Sequence, residues 1–324
     1  MAAQADEMKS KNGPTLPIQP ILREKERERK RERERERERG MAAQAEEYEK
    51  TSPLAVLVVG FAGSGKSTLV GSMAKKFKAP YMINLDPAVI DYPYEAHIDI
   101  RDTLSHKGVM EQYDLGPNGA IVTALNLYST QFADVISLVE KRTDENEIGV
   151  VILDTPGQIE CFTWSASGQV IAESVSSTLP TTILFVVDAS RCVSSPRTFM
   201  SNMLQACSIL YRMNLPLVIA FNKSDTCDTS ILKQWMEDIE SFLVAMDERE
   251  KSSCAVDLSR SLCLVLDEFY NNLGSVSVSA MTGDGMDDLE AALNQAKQEY
   301  LRDFLPELIR KRQQRETTTD AEKR

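Results

Sequence analysis

The sequence predicts an α/β domain built on a doubly wound, mostly parallel sheet, and three observations carry that prediction. Short unbroken apolar runs recur at residues 54–59, 81–85, 148–153, 183–187, 217–221 and 276–278. Strands that are apolar throughout, rather than alternating, belong to a sheet covered on both faces. Amphipathic stretches long enough for helices separate the runs, and polar loops close several of them. Right-handed crossovers gather such loops along the carboxyl edge of a parallel sheet.

In chain order, residues 1–50 stand apart. Residues 23–39 alternate Arg and Glu with almost no apolar side chain. This places like charges at i,i+4 and opposite charges at i,i+3, so the segment reads as a charged leader, disordered or only partly helical. Met1-Ala-Ala-Gln-Ala-Asp6-Glu7 nearly recurs as Met41-Ala-Ala-Gln-Ala-Glu46-Glu47, which suggests a duplicated leader with Met41 as an alternative start. The domain is expected over 51–305, with a helical insertion at about 226–273 and a charged tail over 306–324.

The first run leads into Gly60-Phe61-Ala62-Gly63-Ser64-Gly65-Lys66-Ser67-Thr68, with an apparent helix following. The spacing G-x-x-x-x-G-K-S, between strand and helix, is the phosphate-binding loop of the P-loop fold and predicts binding of a nucleoside triphosphate. Glycines let the backbone curl so that N–H groups of Gly63, Ser64, Gly65 and their neighbours point at an anion, and the helix adds its positive end. Lys66 is placed to reach the β/γ-phosphates, and Ser67 to ligate Mg²⁺. The alternative is a plain glycine turn, which the added Lys-Ser disfavours.

The run 148–153 ends in Asp154-Thr155-Pro156-Gly157-Gln158. An acid there can hold Mg²⁺, the Gly157 N–H can face a γ-phosphate, and Gln158 can orient an attacking water. After the run 217–221 come Asn222-Lys223-Ser224-Asp225. The Asp225 carboxylate can accept both the N1–H and the N2 amino hydrogens of guanine, whereas adenine would leave that buried carboxylate unpaired. Asn222 and Lys223 would brace the loop, and the Ala280 N–H, after the last run, would meet guanine O6. The reading is therefore a site for GTP/GDP with Mg²⁺. Asn84-Leu85-Asp86-Pro87-Ala88 places another carboxylate, Asp86, at the same edge, and Gly116-Pro117-Asn118-Gly119 reads as a tight turn between helical stretches.

Composition narrows the class. At 324 residues and 42% hydrophobic content the chain can bury a proper core, and no apolar run is long enough to cross a bilayer. The first residues are polar and charged, without a visible secretory signal. Six Cys without C-x-x-C spacing read as reduced packing residues of a cytosolic or nuclear protein, and two His make a His-rich metal site unlikely. A net charge of −12 disfavours direct nucleic-acid binding by the folded part.

Taken together, G-F-A-G-S-G-K-S, N-L-D-P-A, L-G-P-N-G, D-T-P-G-Q-I-E, N-K-S-D and Trp164-Ser165-Ala166-Ser167-Gly168 resemble the GPN-loop GTPases over residues 54–305. The resemblance implies a dimer whose nucleotide sites face each other, either a homodimer or a heterodimer with a GPN-loop paralogue. The partner's Gly-Pro-Asn loop would bring Asn118 to the γ-phosphate. Asp86 and Gln158 would position the water, Ser67 and Asp154 would hold Mg²⁺, and Lys66 would bind phosphate. It also implies a role in assembly and nuclear import of RNA polymerase II, with its subunits or assembly factors as partners and a cytoplasmic location with shuttling to the nucleus. Two rival readings are a P-loop kinase of a small molecule or nucleic-acid end, and a nucleotide-stabilised scaffold with negligible turnover. The guanine reader and the water-orienting Gln argue against the kinase, and the filled catalytic positions against the scaffold.

Overall fold

A computed structural model of the chain describes residues 52–145, 147–249, 270, 273–307 and 310. The leader at 1–50, the middle of the expected insertion and nearly all of the tail lie outside the described residues.

Among the described residues, seven strands form one sheet in the order β3-β2-β4-β1-β5-β6-β7: β1 (Leu54–Val59), β2 (Pro80–Asn84), β3 (Ile98–Asp99), β4 (Val150–Asp154), β5 (Thr181–Asp188), β6 (Leu217–Asn222) and β7 (Gly274–Ser277). Every pairing is parallel, so the sheet is wholly rather than mostly so. Each of the six apolar runs became a strand. β3 was missed, because two residues at a sheet edge make no run.

All six residues of β1 are buried. Val56 and Val58 face α1 (Lys66–Lys76) through Leu69, Val70 and Met73, on the side also covered by α12 (Met286–Glu299) through Leu289 and Leu293. Each such side chain contributes roughly 1.5–3 kcal/mol by leaving water. The other face carries α7 (Ala166–Thr178) against β1 and α9 (Pro196–Met213) against β6. β1 is the switch point: the chain first builds leftward through β2, β3 and β4, then rightward through β5, β6 and β7. Ligands of such sheets bind at the carboxyl ends of the strands beside this point, and the phosphate-binding loop lies there.

Between β3 and β4 run α2 (Ile100–Thr103), α3 (His106–Tyr113), α4 (Pro117–Ser129) and α5 (Phe132–Asp144). The Gly-Pro-Asn-Gly stretch is more than the expected turn. Gly116 caps α4, Pro117 is its first residue, and Asn118 and Gly119 belong to its first turn, since proline's fixed φ suits that position. The left-handed residue of the connection is Asp114 (φ 50), which ends α3. α6 (Ile159–Thr163) follows the Asp154–Gln158 loop, and α8 (Ala189–Ser194) follows β5. After β6, α10 (Ser230–Glu237) and α11 (Ile239–Arg249) bring Trp235 and Phe242 onto Phe199 of α9, each at 5.4 Å between ring centroids. Among the described residues, no helix is long and apolar enough to cross a membrane.

Candidate functional site

The phosphate-binding loop is wrapped around a lysine. Lys66 opens α1, is buried, and donates from Nζ to the carbonyls of Gly60 at 2.8 Å and Phe61 at 3.1 Å. Burial lowers its pKa, against the opposing fields of Asp154 and Asp86. Gly65 has φ +90, and a Cβ there would sit 2.4 Å from Asn222 Nδ2, so the loop closes only with glycine at that position. Ser67 and Thr68 occupy the first turn of α1. The Ser64 hydroxyl is buried without a hydrogen-bond partner.

Asp154 ends β4 beside this loop. Burial raises its pKa to about 6, while the Ser67 and Tyr94 hydroxyls and the Lys66 ammonium pull the other way. Tyr94 donates to its Oδ2 at 2.9 Å; Oδ1 is buried and has no hydrogen-bond partner. An unpartnered buried carboxylate oxygen near a serine hydroxyl fits a hard divalent cation that takes few protein ligands and completes its shell with phosphate and water. Among the described residues, no group of three or more His, Cys, Asp or Glu side chains could hold a metal ion.

Asp86, after β2, accepts from the Ala88 N–H at 2.9 Å and from the Gly157 N–H at 3.3 Å. The Gly157 N–H, expected to face a γ-phosphate, is thus turned to Asp86, because the two strand-end loops meet across the adjacent ends of β2 and β4. Gln158 caps α6, is exposed, and lines a cavity of about 480 Å³ bounded by Phe61, Ala62, Arg191 and Arg197.

On the base side, Asn222 ends β6 and ties three segments together. Its Nδ2 donates to the Ser64 carbonyl at 2.9 Å, and its Oδ1 accepts from the N–H groups of Lys223 at 2.8 Å and Ala280 at 3.0 Å. The Ala280 N–H, read from sequence as a partner of guanine O6, is therefore turned to Asn222. Lys223 Nζ reaches the Gly63 carbonyl at 2.9 Å and Asp188 Oδ2 at 2.6 Å. Burial alone would raise the Asp188 pKa, yet Lys223 and the other donors hold it below the usual carboxylate range. Asp225 stands exposed rather than buried, with Oδ1 held by the Ser279 hydroxyl at 2.6 Å.

Asn118 is the expected residue that the single chain does not bring to the cradle. Its side chain is exposed, its carbonyl accepts from Cys161 Sγ at 3.8 Å, and among the described residues no hydrogen bond joins it to the phosphate-binding loop. Cys161 itself is buried, and burial raises its pKa, as suits a packing residue.

The family model described as "Conserved hypothetical ATP binding protein" matches residues 58–299. The chain is 51% identical over 255 residues to GPN-loop GTPase QQT2 of Arabidopsis thaliana, covering 78% of this chain and 66% of that one. It is 49% identical over 257 residues to GPN-loop GTPase 1 of Saccharomyces cerevisiae, covering 76% and 66%. GPN-loop GTPase 1 of Schizosaccharomyces pombe is 45% identical over 286 residues, covering 85% and 77%. The chain belongs to the GPN-loop GTPase family. It spans 66% of the length of the first two of these relatives. Among solved structures, a Pyrococcus abyssi GTPase in apo form superposes with a TM-score of 0.64 at 26% identity, over 75% of this chain and 97% of that one.

Sequence reasoning missed several residues of this GPN-loop site. Asp188 closes β5 as Asp154 closes β4, and an acid at the end of a buried strand was a signal that could have found it. Tyr92, Tyr94, Asp99 and Arg101 enter only through contacts around the 85–97 loop, and no local pattern marks them; Asn84 opens the Asn84-Leu85-Asp86-Pro87-Ala88 stretch, but its bond to Asp99 is not written there.

Proposed function

We propose that this chain binds GTP with Mg²⁺ and hydrolyses it to GDP and phosphate. The carrying observation is Asn222, whose single amide links the phosphate-binding loop, through Ser64, to the Ala280 turn beside Asp225. A base reader fastened to a phosphate cradle supports recognition of one whole nucleotide, and the exposed Asp225 carboxylate favours guanine over adenine. The relatives' names agree with GTP, although the family model's description mentions ATP. Asp154 and Ser67 would hold Mg²⁺, which when bound neutralises charge on the phosphates. Lys66 supplies a fixed positive charge, and Gln158, at the mouth of the cavity by Ala62, orients the attacking water together with Asp86.

The exposed Asn118 supports completion of the site by a second subunit, a copy of this chain or a paralogue; relatives named GPN-loop GTPase 2 and 3 belong to the same family. At the level of the cell, the reading is a role in RNA polymerase II assembly and nuclear import, carried only by family membership. Calorimetric titration with GTP and ATP, followed by single-turnover hydrolysis, tests the activity. GTP preference and a Gln158→Ala variant that binds GTP but hydrolyses it about 10²-fold more slowly are expected. A preference for ATP turns the reading to a kinase, and no turnover turns it to a nucleotide-stabilised scaffold.

A further inference from the structure

The loop between β2 and β3 is fastened across the cation-binding edge by aromatic and charged side chains. Pro93 packs on α1 where only glycine fits, since a Cβ on Gly71 would lie 2.9 Å from Pro93 Cγ. Tyr94 packs against the core under α1, and its hydroxyl meets Asp154 Oδ2 at 2.9 Å. The Tyr94 ring stacks on Tyr92 at 4.4 Å between centroids with 20° between planes. The Tyr92 hydroxyl donates to Asp99 Oδ2. Asp99 is in turn gripped by the Arg101 guanidinium at 2.7–3.1 Å and by Asn84 Nδ2 at 2.9 Å, and Arg101 also lies 4.7 Å over the Tyr92 ring.

Phenylalanine at 94 would satisfy the packing and the stack equally well; only the bond to Asp154 requires the hydroxyl. A phenol is a neutral donor, so it can fix a carboxylate without cancelling its charge. A lysine or arginine in its place would weaken the carboxylate as a cation ligand.

We propose that Tyr94 is the positioning residue of the cation-binding carboxylate: it holds Asp154 Oδ2 and leaves Oδ1 as the oxygen offered to Mg²⁺, while the stack on Tyr92 anchors it to the Asp99–Arg101 clamp. This rests on the GTP·Mg²⁺ reading above. Partners of this kind change metal affinity by about 10–100-fold when removed.

The test is the release of fluorescent N-methylanthraniloyl-GDP from the full chain, titrated with MgCl₂ and repeated in EDTA. Tyr94→Phe is expected to raise the Mg²⁺ concentration that half-maximally slows release by about tenfold, with metal-free release unchanged. Tyr92→Phe keeps the stack but loses the bond to Asp99, and is expected to give a smaller rise. An unchanged midpoint in Tyr94→Phe, or equal loss with and without metal, overturns the proposal. If Tyr94→Phe melts early by circular dichroism, Tyr92→Phe decides alone, and an unchanged midpoint there overturns it. Wild-type chain whose nucleotide release ignores Mg²⁺ overturns both this proposal and the reading beneath it. Wild-type chain that responds, beside a Tyr94→Phe that responds identically, overturns only the role of Tyr94.

Discussion

On the base side of the site, Asn222 uses both ends of its amide within the protein, and Ser279 and Lys223 are paired as well. On the phosphate side, Lys66 is buried with its pKa lowered, the Asp154 pKa is raised to about 6, and Asp154 Oδ1 and Ser64 Oγ are buried without partners. The base side is finished as it stands and contributes stability. The phosphate side holds desolvated charge and unmet hydrogen-bonding capacity, which oppose folding and favour an anion with its cation. Rigidity and readiness are thus divided between the two ends, with Asn222 joining them.

Four substitutions break or sharpen that contrast. Lys66→Met removes the central charge of the phosphate side and should weaken GTP binding by roughly 10²–10³-fold, as for a truncated buried charge pair, read by calorimetry. Asp225→Asn removes an exposed base reader and should lower the preference for GTP over ATP by about 10²-fold while leaving the melting temperature near wild type. The third case reverses the sign. Asp154→Asn relieves a buried carboxylate, so the unliganded chain should gain about 1–3 kcal/mol in urea unfolding while losing the Mg²⁺ dependence of nucleotide retention. A loss of stability there would mean that the phosphate side is as satisfied as the base side.

The smallest effect concerns acid. Burial pushes the Asp99 pKa up, but the bonds from Arg101, Tyr92 and Asn84 outweigh it and hold the pKa at about 2, below its ordinary 3.8. The pKa is depressed in the folded state, so the associated stability is present above about pH 4 and is lost as pH falls toward 2. Discounted for screening by solvent around the partly exposed Arg101–Asp99 pair, it amounts to about 1 kcal/mol. Wild type and Asp99→Asn should therefore differ in urea midpoint at pH 6 and converge by pH 2. A gap that persists at pH 2 would assign the effect to packing.

The strands were legible because a sheet covered on both faces demands unbroken apolar runs, and only the two-residue β3 escaped. The positions of Lys66, Asp154, Gln158, Asn222 and Asp225 along the carboxyl edge were legible because each lies at or just after the end of a strand; the chemistry read from their spacing is what the proposed function carries forward. Their hydrogen-bond partners were less legible. Gly157 and Ala280 have the expected places but turn their N–H groups to Asp86 and Asn222, a matter of loop meeting loop that spacing does not encode.

By itself the sequence determined the sheet, the phosphate-binding loop and the three strand-end motifs, since these depend on local periodicity and on residues a few positions apart. The tertiary structure alone decided which oxygen of Asp154 is held and which is left open. Tyr94 lies 60 residues from Asp154 along the chain, and it arrives there through a stack, a clamp and one close approach to a glycine. Contacts of that range are set by packing geometry, which no stretch of the chain carries alone.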